Sequence, residues 1–162
     1  STQPADSAVE LEDGAWVQIA DASGRLEQQY SAERIDPLPD GWLQMKRPRA
    51  MIYLSGGRVL TLRGEHGLLN VPSQAIESGT LTGDVVIRLF VPEGSQPVEI
   101  GTTKPEVIVR AEEASFDNSI GEIRCDKSIR IDAEDVAFVG RGLNLLLGSD
   151  ERTIERLVKQ GF

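Results

Sequence analysis

The residues of this sequence that could do chemistry are few. His66 is the sole histidine, so an imidazole-based metal cluster is excluded, and a Ser-His-Asp site would depend on one residue in a turn. Cys125 is the sole cysteine and falls on the apolar phase of its segment, with no histidine or lysine beside it, which is the setting of an inert buried thiol. Glu112-Glu113 and Glu134-Asp135 are carboxylate pairs, but neighbours on a strand point to opposite faces. A hydrolase using Glu112 or Glu134 would need a second carboxyl within reach of the first. No Asp-rich loop has calcium-ligand spacing. Trp16 and Trp42 could stack a sugar ring, although capping the end of a β-sandwich is the commoner role. The expectation is a chain without catalysis, metal or cofactor.

These residues sit on segments with the period of two that marks half-buried strands. Ile123, Cys125, Ile129 and Ile131 alternate with Arg124, Asp126, Ser128, Arg130 and Asp132. Lys127 breaks the apolar side, so a bulge or strand end is expected there. Val85, Ile87, Leu89 and Val91 form a second run, and Leu60-Leu62 and Val107-Val109 add two more. Turn signals at Asp21-Gly24, Pro37-Gly41, Ser55-Gly57, Pro92-Ser95 and Asp117-Gly121 separate them at hairpin spacing. Glu93 to Pro105, with its prolines, reads as a loop.

With 162 residues the chain suits one domain, large enough to fold without disulfides or metals. Its 17 basic against 26 acidic residues leave a net charge of -9, with no overall basic field for phosphates, so nucleic acid is not an expected partner. Only Lys46, Arg47 and Arg49 come close together, and Pro48 interrupts them. A single thiol is compatible with either cytosol or periplasm. No apolar stretch approaches the roughly 20 residues of a spanning helix. The expected organisation is a disordered polar start over 1–8, a β domain over 9–149, and a short helix or edge strand over 150–162.

A repeat organises the β domain. Gly41-Trp42-Leu43, Gly79-Thr80-Leu81 and Gly121-Glu122-Ile123 each open a strand pattern. The later strands align residue by residue: Leu60 to Asn70 against Val107 to Asp117, with Val136 to Leu143 as a third copy and Gly24 to Glu33 as a shorter fourth. Each copy carries a small residue, Ala32, Gly64, Ala111 or Gly140, where the inward alternation would otherwise place a bulky one. Such a position permits a sharp bend or a close backbone approach. A lone hairpin is marginal in water, so the units must stack into a sandwich or jelly roll, closed or splayed open.

Asp21-Ala22-Ser23-Gly24-Arg25, the small-Glu strand, the turn-rich Trp42 to Leu54 stretch and Leu81-Thr82-Gly83-Asp84-Val85-Val86-Ile87 together resemble the OstA-like domain of lipopolysaccharide-transport proteins, LptC-like members most closely. Phe138-Val139-Gly140-Arg141-Gly142-Leu143 is similar to that family's late G-x-G-L strand, and the resemblance runs from about Val17 to Leu147. It implies an all-β fold, a twisted, V-shaped antiparallel β-jelly roll of two facing sheets. It also implies a periplasmic location, with anchorage to the inner membrane through a segment not present in this chain. The implied partners are lipopolysaccharide or another amphipathic lipid, and related jelly-roll domains joined by strand pairing.

On that reading the inward residues line a lipid groove: Leu60, Leu62 and Leu69, then Leu81, Val85, Ile87 and Leu89, then Val107, Val109 and Phe116, then Ile123, Ile129, Ile131, Val136 and Phe138. Each acyl methylene buried against them would contribute about 0.8 kcal/mol. The same residues would equally fill a closed, dry core. The alternative function is a carbohydrate-binding or purely structural β-sandwich interaction module.

Overall fold

A computed structural model describes residues 8–11, 15–20, 26–72, 76–146 and 157–159, with side chains described over 27–72 and 76–146. Residues 1–7 of the expected disordered start over 1–8, the turn at Asp21-Gly24 and most of the 150–162 tail lie outside the described residues, as does the side chain of Trp16, whereas Ala8 opens a strand.

The alternating segments form β1 (Ala8–Leu11), β2 (Ala15–Ala20), β3 (Leu26–Ala32), β4 (Arg34–Pro37), β5 (Trp42–Lys46), β6 (Arg49–Tyr53), β7 (Val59–Arg63), β8 (His66–Asn70), β9 (Ser78–Phe90), β10 (Val107–Asp117), β11 (Glu122–Ala133), β12 (Val136–Leu146) and β13 (Leu157–Lys159). Among the described residues the helical content is two single 3-10 turns at Pro39–Gly41 and Ser55–Gly57. Glu93 to Pro105 is a connection between β9 and β10, as its prolines predict, apart from an isolated bridge between Glu93 and Gln96. In the tail, β13 pairs with β12 through Leu157, Val158 and Lys159, the edge-strand alternative of the sequence reading.

All strands belong to one antiparallel sheet that does not close. Its main path runs β1-β2-β3-β6-β7-β9-β10-β11-β12-β13, and a branch β4-β5-β8 joins on β9. The branch exists because β9 is long enough to hold two short strands on one side. Val86 to Phe90 pair with β7, and Ser78 to Thr82 pair with β8. Between them Gly83 takes φ 83° and Asp84 φ 47°. A Cβ on Gly83 would meet the Glu65 side chain at 2.7 Å, so both its conformation and its neighbour require glycine.

That interruption recurs in every neighbour. The chain breaks pairing at Glu33 between β3 and β4, at Arg47-Pro48 between β5 and β6, and at Gly64-Glu65 between β7 and β8. Register shifts fall between Ala111 and Glu113 against β9, and between Cys125 and Ser128 where β11 meets β12. The bulge expected at Lys127 is therefore present, and the small residues Ala32, Gly64, Ala111 and Gly140 all lie at or beside this line.

Aligned interruptions fold the sheet onto itself. Tyr30 on β3 and Phe116 on β10 are four strand steps apart and some seven residues displaced, which in a flat sheet is roughly 30 Å. Their ring centroids are 6.0 Å apart. The concave side so formed holds the core, with Tyr30, Leu60, Leu62 and Ile87 from one flank and Met45, Leu69, Leu81, Ile123 and Leu143 from the other.

The repeat is visible in the pairing. The two segments that align in sequence lie on opposite sides of β9 in identical register: Leu69 and Phe116 both pair with Gly79, Arg63 and Arg110 both with Val86, and Asn70 and Asp117 both with Ser78.

Candidate functional site

The interior is built from cross-strand rows. Leu60, Leu89, Val107, Ala133 and Val136 form one, and Leu62, Ile87, Val109, Ile131 and Phe138 form the next. Leu69, Gly79, Phe116, Ile123 and Leu145 form a third beyond the bend. The predicted residues Leu60, Leu62, Leu69, Leu81, Val85, Ile87, Leu89, Val109, Ile123, Ile129 and Ile131 are buried, and Val107 and Phe116 are half-buried against them.

Val136 and Phe138 differ. They face inward, as expected from their pairing with Ala133 and Ile131, but remain 49% and 39% exposed. β13 pairs with β12 over Leu143 to Leu145. Two interior rows are therefore only partly covered where they reach β12. Val139, on the opposite face, is 72% exposed.

Inside, packing is tight. Between Tyr30, Met45, Leu69, Leu81, Phe116 and Ile123 the free space is about 10 Å³, room for about one water. The polar atoms at this place have partners. The Tyr30 hydroxyl donates to Gln28 Oε1 at 2.9 Å, and Asn118 Nδ2 donates to the Ile76 carbonyl at 3.0 Å. Burial pushes the Tyr30 phenol above its ordinary range.

The groups weighed for chemistry lie apart. Cys125 is buried, and desolvation, aided by Asp126 and Glu113, pushes its thiol up to about 12, far from a nucleophile's range. His66 is exposed at the end of β8, and Glu112 is exposed on β10. Glu113 pairs with Lys127 at 3.3 Å. Glu134 sits in the turn before β12 with φ 49°. Among the described residues no group of three or more His, Cys, Asp and Glu side chains could hold a metal. Trp42, on β5, is 36% exposed.

The convex face carries a feature the sequence reading missed. Arg49 pairs directly with Arg63 across β6 and β7, and Arg88 on β9 lies beside them, opposite Thr61. These arginines line a cleft of about 630 Å³ roofed by Ile100, Gly101, Thr103 and Pro105 of the long connection. Their sequence positions are far apart, and the overall negative charge masks them; pairing register alone could have found them. No family profile matches the chain, and no curated protein matches it.

Proposed function

We propose that this chain is a periplasmic, OstA/LptC-like domain that binds an amphipathic lipid, with lipopolysaccharide the candidate cargo, and pairs edge to edge with related domains. On this reading the folded sheet is a V-shaped jelly roll whose two flanks act as facing sheets, attached to the inner membrane through a segment outside this chain. The observation that carries the reading is the partial exposure of two interior rows where they reach β12, at Val136 and Phe138. An acyl chain laid on those residues continues the apolar surface, and related domains join through the backbone that edge strands of an open sheet present. Chain entry deeper than Phe138 requires the flanks to part, and the aligned interruptions give the line about which they move. The activity is binding alone.

The tight packing around Phe116 favours a second reading, a structural β-sandwich interaction module that uses the same edge. A photo-crosslinking residue at position 138, with position 139 on the other face as control, separates the two in a Gram-negative envelope. Lipid captured at 138 and not at 139 is the expected result. Capture of protein alone leaves the interaction module, and failure to capture anything with a folded protein sinks both.

A further inference from the structure

The convex cleft has a composition that folding does not explain. Like charges directly opposite on neighbouring strands destabilise a sheet, yet Arg49 faces Arg63, and Arg88 adds a third guanidinium one row away. The other opposed arginines of this face, Arg110 and Arg130, share a carboxylate: Arg110 Nη1 reaches Asp132 at 3.3 Å and Arg130 Nε reaches it at 3.0 Å. None of Arg49, Arg63 and Arg88 makes an ion pair among the described residues, and no carboxylate lines the cleft. Partial burial, together with the Arg63 and Arg110 charges, pushes the Arg88 guanidinium below its ordinary range. The chain as a whole is acidic at -9, so this local concentration runs against its composition.

The cleft is also shaped. The connection from Glu93 to Pro105 is tied down where Glu106 N donates to the Leu89 carbonyl at 2.7 Å and Thr103 N to the Glu99 carbonyl at 2.8 Å. It covers Phe90, which is 4% exposed although it faces the convex side. The result is a pocket in the usual size range for small ligands, with charge at one end and Met51, Phe90 and Ile100 as its apolar wall.

We propose that Arg49, Arg63 and Arg88 form a binding site for a phosphate-bearing group, whose less polar portion packs on Met51, Phe90 and Ile100. A phosphate suits three forked donors better than a single carboxylate does, because it presents several oxygens and carries up to two charges. The group is either a free phosphate compound or a lipid headgroup. This site is separate from the concave interior and does not depend on its being a lipid groove.

The test titrates the full chain with inorganic pyrophosphate by calorimetry, and in parallel with phosphatidylcholine vesicles with and without phosphatidic acid. Saturable binding that weakens about tenfold or more in Arg63→Gln and in Arg88→Gln, but not in Arg34→Gln on the other flank, is expected. Dependence with pyrophosphate assigns a free phosphate compound, and dependence only with phosphatidic acid vesicles assigns a headgroup. Thermal unfolding checks that each variant folds, and Arg88→Lys, which keeps the charge but loses the fork, should bind at intermediate strength. Binding of neither probe, or equal weakening in Arg34→Gln, overturns the proposal.

Discussion

The rings of Tyr30 and Phe116 lie 6.0 Å apart at an interplanar angle of 28°, and this stack joins strands that the sheet path alone would hold far apart. Phe116 also lies across its direct partner Gly79, where an added Cβ would fall 2.5 Å from the ring. The aromatic ring thus covers the glycine, and the glycine leaves room for the ring. Removing the ring with Phe116→Ala should cost about 2–4 kcal/mol, less than for a fully buried phenylalanine. Gly79→Ala should destabilise as well, by displacing the same ring. Urea unfolding measures both, and an unchanged midpoint in either variant would contradict the account.

Neutralising one member of the facing Arg49–Arg63 pair should stabilise the protein. Arg63→Gln is expected to gain about 0.2–1 kcal/mol, the usual scale for opposed cross-strand charges. Since the repulsion is near the surface, the gain should shrink as salt rises. Melting curves at low and high ionic strength check this. A loss of stability at low salt would mean that the arginines hold the fold together.

Acid should loosen the bend line and the convex face. Hydrogen bonding and attraction from Lys46 hold the Glu33 carboxyl below its ordinary 4.5, and Arg130 holds Asp132 below 3.8. A carboxyl depressed in the folded state contributes stability above its unfolded value and loses it as pH falls through the folded one. Stability should therefore be insensitive to these groups near neutral pH and begin to decline about one unit above the ordinary carboxylate value, falling further as pH drops through the depressed folded values. Glu33→Gln should flatten part of that decline in melting curves between neutral and acid pH; an identical pH profile would remove Glu33 from the explanation.

The Cys125 thiol, pushed up to about 12, carries negligible thiolate at pH 8 while the protein is folded. Alkylation there should proceed only through opening of β11, so its rate should rise steeply with denaturant. Rapid labelling of the native protein would show that this part of the interior is already accessible.

Much of this architecture is legible in the sequence. The alternation of Ile123 to Ile131 marks a strand and the misplaced Lys127 a bulge or strand end, while the alignment of Leu60–Asn70 with Val107–Asp117 shows a repeat but not that its copies flank β9 in equivalent register. Period two reports which face a side chain takes, and that depends only on near neighbours in the chain. Burial depends on what lies beyond the next strand. That is why Phe138 points inward as expected yet meets solvent, and why Ile131, its direct partner, does not. The arginine cleft was illegible for a related reason: Arg49, Arg63 and Arg88 come from three strands, and composition reports their sum with every distant aspartate included.

Since the long strands β9, β10 and β11 each carry an interruption at the same height, the bend is built into each of them and not only into the assembly. A hairpin duplicated or deleted between β9 and β12 would lengthen or shorten the bent sheet by two increments of about 4.8 Å while every remaining strand kept its direction. The molecule is divisible in the manner of corrugated sheeting, cut to width along lines parallel to its ribs.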